Sequence, residues 1–180
     1  MAELTYRIRI PNALIINDHE AAEAAALGVS ELIVQHLRNK NAGTPPRTGF
    51  PKSNYYAEAS NDVQTAVHGK TATVTIPHEG LALHYEGGAV YPKKKALAIP
   101  LDPSVAGIWP SEYGGEMFVV WPKGKSSGLL VGADINHEGD IGKALYRLIY
   151  KATIPADPSV LPTDSEIEKA AEEYIWEAAS

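Results

Sequence analysis

Apolar residues at helical spacing predict one helix near each end of the chain. Near the start, alternation of apolar and polar residues over 5–10 predicts a half-buried strand. A helix capped by Asn17 or Asp18 is then expected to run to about Asn39. Its apolar stripe consists of Ala22, Ala26, Val29, Ile33 and Leu37. Gly28 lies inside this helix at a cost of about 1 kcal/mol relative to alanine, so we expect it to pack closely against a neighbour.

The middle of the chain alternates with a period of two and is broken by glycine and proline, which predicts short strands and many turns. The first strand is expected at residues 70–77, where β-branched residues alternate. Further strands are expected at residues 96–101, 117–121, 128–131 and 144–154, with turns at 122–125 and 136–140. Leu97 and Ile99 lie in the apolar strand 96–101, and replacing both by aspartate should unfold the domain if they belong to the core. Short helices are expected at 55–62 and 81–86.

The last segment predicts a second amphipathic helix. Thr163 and Glu166 form a capping-box pattern, and an apolar stripe follows it. A proline-containing hinge over residues 156–162 precedes this helix. The sequence therefore predicts an α+β fold with a long N-terminal helix, a mainly antiparallel sheet and a C-terminal helix. We divide it into a main domain, 1–155, and a hinge with the last helix, 156–180.

Composition narrows the classes of function. The 180 residues carry a net charge of −6, which argues against non-specific wrapping of nucleic acid but is compatible with a local basic patch. There is no cysteine, so disulfides and thiolate chemistry are excluded. No apolar run approaches the roughly 20 residues that span a bilayer, and the charged first residues do not predict a secretory signal, so no membrane partner is expected.

Motifs for catalysis or cofactor binding are weak. The six histidines lack metal-ligand spacing. Residues 134–139 imitate the start of an EF-hand loop, but the twelfth position is Leu145 rather than glutamate. Gly124-Lys125-Ser126 imitates the end of a phosphate-binding loop whose leading glycine is replaced by Val119. We therefore predict no catalytic residues, no metal and no cofactor, and expect that the chain is not an enzyme.

The most distinctive stretch runs from His84 to Pro100. Gly87 and Gly88 let the backbone reach positive φ where a helix must end. Pro92 follows, and then Lys93, Lys94 and Lys95 form a basic turn. These lysines could meet phosphates, an acidic surface on a partner, or water. An acidic neighbouring subunit is attractive because the chain is rich in acid and opposite patches set register between subunits.

This stretch resembles the central signature of the Mu-type phage virion morphogenesis proteins, in which an aromatic-Gly-Gly turn precedes a Pro-Lys-x-x-Lys-x-Leu-x-Ile-Pro segment. Here Tyr85-Glu86-Gly87-Gly88 is followed by residues 92–101, Pro-Lys-Lys-Lys-Ala-Leu-Ala-Ile-Pro-Leu. The similarity extends outward to about residues 34–162. It includes Arg47 to Pro51 with Tyr55-Tyr56, the paired strands at 117–120 and 128–131, and the exit at 145–158. The long acidic helix that follows departs from the pattern of many relatives.

The resemblance implies a structural virion protein that completes the tail or joins head to tail. It implies a homo-oligomeric ring of six or twelve copies in the neck or tail end, contacting other neck or tail proteins. Candidate interface residues are Phe50, Tyr55, Tyr56, Lys93, Lys94 and Lys95. Three alternatives stay open: a neck component that contacts DNA through its basic loop, an interaction domain with another partner, and a hydrolase using an unrecognised histidine–carboxylate pair.

Overall fold

The computed structural model describes residues 4–9, 17–133 and 141–180. These residues confirm the predicted α+β class, with a long N-terminal helix, antiparallel sheets and a C-terminal helix. The chain forms two compact units, each assembled from separate segments. Unit 1 comprises Met1–Pro45, Ser53–Gly88 and Pro155–Ser180, and unit 2 comprises Pro46–Lys52 and Ala89–Ile154. Residues from Pro155 onward return the chain to unit 1, so the last helix shares a unit with residues 1–45, and the predicted division into 1–155 and 156–180 stays a prediction.

Four α-helices of the described residues belong to unit 1: α1 (Asp18–Gly43), α2 (Tyr55–Asn61), α3 (Leu81–Glu86) and α4 (Asp164–Ala178). The predicted caps are confirmed at both ends of the unit. The Asn17 side chain accepts hydrogen bonds from the backbone N–H groups of His19 and Glu20, which begins α1. Thr163 and Glu166 form the capping box of α4. The α1 helix continues one turn past the predicted end, to Gly43.

The sheet of unit 1 has three antiparallel strands in the order β1-β3-β2, formed by β1 (Leu4–Arg9), β2 (Gln64–His68) and β3 (Thr71–Ile76). The strand β2 was not predicted, because most of its side chains are exposed and it carries no apolar alternation. It is held as an edge strand by its pairing with the strongly patterned β3.

The core of unit 1 lies between α1, α4 and the sheet. The whole predicted stripe of α1 is buried, and Ile167 and Ala171 of α4 are buried against the same cluster. Gly28 sits where the two helices pack. A Cβ built there would lie 2.6 Å from the Ala170 carbonyl oxygen and 2.7 Å from the Tyr174 ring. The expected close approach at Gly28 is therefore confirmed.

Unit 2 is built on a four-stranded antiparallel sheet in the order β5-β8-β7-β6. Its strands are β5 (Leu97–Pro100), β6 (Met117–Val120), β7 (Gly128–Ala133) and β8 (Ile141–Ile149), while β4 (Gly88–Val90) and β9 (Ala152–Ile154) form a separate two-stranded sheet. Tyr146, Leu145 and Val105 make its buried core. The Tyr146 hydroxyl donates a hydrogen bond to the Ile108 carbonyl at 2.9 Å, which satisfies a buried polar group.

The strand predicted at 96–101 is confirmed as β5, and Leu97 and Ile99 in it are not part of the buried core cluster of unit 2. Ile99 is 36% exposed, and Ala98 between them packs on the core cluster. Alternation groups residues into two faces but does not say which face is buried. The single strand expected at 144–154 is two, β8 and β9, separated by Tyr150 and Lys151.

Other predicted features vary in outcome. The turn at 122–125 is confirmed by a hydrogen bond from the Lys125 N–H to the Pro122 carbonyl, 3.1 Å long. The turn at 136–140 and the EF-hand imitation at 134–139 lie outside the described residues. Among the helices described, none combines the length and apolar character needed to cross a bilayer.

Candidate functional site

The helix stop at Gly87 shapes the start of the distinctive segment. Gly87 has φ +74° and donates its N–H to the Leu83 carbonyl at 2.9 Å, which ends α3. A Cβ at Gly87 would lie 2.6 Å from the backbone nitrogen of Ala156, so only glycine fits both the dihedral and the space. Gly88 then begins β4.

The basic turn lies between β4 and β5 in unit 2. Tyr91 and Pro92 follow β4, and Lys93, Lys94 and Lys95 form a bend that precedes β5. All three lysine side chains are exposed. Tyr91, separated from them by Pro92, is 62% exposed. An exposed aromatic residue that was not predicted as a site residue therefore lies two positions before the predicted lysines in the chain.

Two further exposed aromatic rings pack against each other in the same unit. Trp121, which follows β6, stacks on Tyr150, which follows β8, with ring centroids 5.5 Å apart and planes 8° from parallel. Trp121 is 45% exposed and Tyr150 is 55% exposed. The Trp121 ring lies over Gly128, where a Cβ would approach it to 3.0 Å. The absence of a side chain at Gly128 is thus what allows the indole to lie flat on the sheet.

Lys151 contacts one of these aromatic groups and is adjacent to the other in the sequence. Its Nζ lies 5.8 Å from the centroid of the Tyr91 ring, within cation–π distance, and Lys151 directly follows Tyr150 in the chain. Lys123 and Lys125 stand exposed in the turn after Trp121. We name the aromatic–lysine surface as the exposed set Tyr91, Lys93, Lys94, Lys95, Trp121, Lys123, Lys125, Tyr150 and Lys151.

Charge is divided unevenly between the two units. Unit 1 contains six Lys/Arg and sixteen Asp/Glu residues, for a net formal charge of −10. Unit 2 contains ten Lys/Arg and six Asp/Glu residues, for a net formal charge of +4. The net −6 of the whole chain therefore conceals a basic unit that carries the aromatic–lysine surface.

One acidic side chain of unit 2, Asp102, stabilises the fold of that unit. Asp102 is buried and forms an ion pair with Lys143, and it accepts a hydrogen bond from the Ser104 N–H at 2.9 Å. The hydrogen bonds from Lys143 and Ser104 lower the pKa of Asp102 to about 2. It holds the short 3₁₀ turn Pro103–Val105 against β8.

The predicted aromatic contacts divide between the units. Phe50 belongs to unit 2 and is half-buried, with the Arg47 guanidinium 4.3 Å from its ring centroid. Arg47 also donates a hydrogen bond to the Pro100 carbonyl at 2.9 Å, which fixes the loop beside β5. Tyr55 and Tyr56 belong to unit 1 and are partly buried against its core. The structure therefore does not bring Phe50, Tyr55 and Tyr56 together in one unit.

A histidine–carboxylate pair stands next to Tyr55. His78 Nδ1 lies 2.6 Å from Asp62 Oδ2, and the rings of His78 and His84 lie 4.8 and 4.9 Å from that of Tyr55. Burial raises the pKa of Tyr55 to about 12 and lowers the pKa of His84. The Tyr55 hydroxyl donates to the Glu79 carbonyl at 2.9 Å. These contacts tie α2 to the segment before α3, so we assign the cluster to packing.

Within the described residues, no group of three or more histidine, aspartate or glutamate side chains is placed to hold a metal ion. Comparisons of the chain with protein-family models, with curated proteins and with solved structures give no match.

Proposed function

We propose that the chain is a structural virion protein of a tailed bacteriophage or prophage-like particle, acting in tail completion or in joining head to tail. The observation that carries the proposal is the segment Tyr85 to Leu101, which resembles the central signature of the Mu-type virion morphogenesis proteins in residue type and order. The location that follows is the neck or tail end of the particle, with the host cytoplasm as the place of assembly.

A homo-oligomeric ring of six or twelve copies is part of this proposal and comes from the same resemblance. A ring requires a heterologous interface, in which one surface of each subunit meets a different surface of the next. Exposed aromatic side chains beside charged ones, such as Trp121 and Tyr150 near Lys151, are typical of surfaces that contact other proteins. This composition supports protein contact as the role of unit 2.

The experiment that tests the proposal is deletion of the gene from the phage or prophage that carries it, followed by electron microscopy of the particles. We expect heads and tails that remain separate or tails that end abnormally, with loss of infectivity. Supplying the intact gene in trans should restore joined, infective particles. Normal particles and unchanged infectivity in the deletion strain would contradict the proposal.

A second candidate is a neck component that contacts the passing genome. It is favoured by one observation, the exposure of Lys93, Lys94, Lys95, Lys123 and Lys125 on a unit of net positive charge. Binding through lysine–phosphate contacts falls steeply with added salt. Fluorescence anisotropy with a labelled DNA duplex should then show salt-sensitive binding, and the lack of binding at low salt would remove this candidate.

A further inference from the structure

The aromatic–lysine surface has a counterpart of opposite charge on the same chain. Trp176, in the last turn of α4, is 63% exposed. Glu172 lies four residues before it and Glu173 three residues before it, so both share its side of the helix, and Glu177 follows it. All three carboxylates are exposed. The negative end of the helix dipole adds to their field. We name Glu172, Glu173, Trp176 and Glu177 the acidic end of α4.

The aromatic–lysine surface and the acidic end of α4 have similar compositions with opposite charge. Each has an exposed aromatic centre, formed by Trp121 and Tyr150 on unit 2 and by Trp176 on α4. Lysines surround the first and mainly glutamates surround the second, where Lys169 forms an ion pair with Glu173 at 3.5 Å. Aromatic residues supply most of the binding energy at the centres of protein interfaces, while the charged rim sets partner choice and register. The rim is basic on unit 2, whose net charge is +4, and acidic on unit 1, whose net charge is −10. The basic surface of one copy can therefore bind the acidic surface of a second copy.

We propose that the aromatic–lysine surface of one copy docks on the acidic end of α4 of a second copy. This inference rests on the proposed function, because it names the two surfaces that a self-assembling ring would join. The contact is heterologous and leaves one surface of each kind unfilled in a dimer, so it propagates until a ring closes.

A second copy fits the aromatic–lysine surface better than DNA does. The phosphates of a duplex can neutralise Lys123, Lys125 and Lys151, but they offer no apolar partner to the stacked rings of Trp121 and Tyr150. The acidic end of α4 offers both carboxylates and an exposed indole. Salt should weaken the contact, since the charges at its rim are exposed.

The test exchanges the charges of the two surfaces. A first variant carries Lys123→Glu and Lys125→Glu, and a second carries Glu172→Lys and Glu173→Lys. Each variant alone presents like charges at the contact, which costs several kcal/mol, so we expect self-association to weaken at least about a hundredfold. In an equimolar mixture every contact again joins opposite charges, so assembly should return. Restored assembly also shows that both variants are folded.

The control reverses the same number of charges elsewhere on unit 1, by Glu58→Lys and Glu86→Lys, both at exposed positions outside α4. Sedimentation velocity over a range of protein concentrations measures assembly of the wild-type protein, each variant, the mixture and the control. We expect the wild-type protein, the control and the mixture to assemble, and each variant alone to stay monomeric.

Several results would overturn the inference. Either variant alone could assemble as the wild-type protein does, or the mixture could fail to assemble. The wild-type protein could stay monomeric at every concentration. A DNA duplex could be bound by the wild-type protein and lost by the first variant while assembly is unchanged, which would assign the surface to nucleic acid. None of these results decides the proposed function, which depends on the particles made by the deletion strain.

Discussion

Gly28 offers a direct test of the packing between α1 and α4. Replacement by alanine adds one carbon at a point 2.6 Å from the Ala170 carbonyl oxygen and 2.7 Å from the Tyr174 ring. The ring can rotate, but the carbonyl belongs to the backbone of α4. Contacts below 3.0 Å are not tolerated by a Cβ, so the two helices must separate locally by about 0.4 Å.

The size of the effect follows from two opposing contributions. Alanine is favoured over glycine inside a helix by about 1 kcal/mol. Overpacking a well-filled contact costs about 1–3 kcal/mol. The net expectation for Gly28→Ala is a loss of about 1 kcal/mol in the free energy of unfolding, instead of the gain that helix propensity alone predicts.

Gly43→Ala is the matched control, because Gly43 lies in the same helix and a Cβ there meets nothing within 4 Å. We expect it to leave stability unchanged or raise it by up to about 1 kcal/mol. Urea unfolding followed by far-ultraviolet circular dichroism measures both variants against the wild-type protein. A Gly28→Ala protein that is as stable as the Gly43→Ala protein would refute the close packing of α1 on α4.

Two further predictions concern the core of each unit. Leu37→Ala removes a fully buried side chain of α1 and should lower the free energy of unfolding by about 2–5 kcal/mol, whereas Leu27→Ala, on the exposed side of the helix, should change it by less than about 0.5 kcal/mol in the same urea titration. Asp102→Asn should lower the melting temperature at neutral pH because it breaks the ion pair with Lys143. The folded-state pKa of Asp102, about 2, lies below its ordinary 3.8, so the carboxylate stabilises the fold above about pH 4, and this contribution is lost as the pH falls through 2. The difference between wild type and variant in thermal melts should therefore close between about pH 4 and 2, and a difference that persists unchanged at pH 2 would show that Asp102 acts otherwise.

Local signals predicted the helices of unit 1 well. Asn17 and the Thr163–Glu166 pair bond to backbone groups a few residues away. Their role as helix caps can therefore be predicted from neighbouring residues alone. The same holds for Gly87, whose position after Glu86 marks the end of α3. Features that depend on distant pairing were harder to predict. The strand β2 is a strand because β3 lies beside it, and its own residues carry little pattern.

In the candidate site, too, local features could be predicted from the sequence and features that depend on strand pairing could not. The basic turn at Lys93 to Lys95 is visible in the sequence because the lysines are adjacent. The stack of Trp121 on Tyr150 depends on the pairing of β6 with β7 and of β7 with β8, which places side chains that lie 29 positions apart in contact. The charge division could have been detected by counting over residues 89–154 instead of over the whole chain, since most of unit 2 is one continuous segment.

The proposed function makes this chain a component of the virion that is present in a small, fixed number of copies. Quantitative mass spectrometry of purified particles, with the protein measured against the major head and tail subunits, tests it most directly. We expect six or twelve copies per particle. Absence of the protein from purified, infective particles would contradict it.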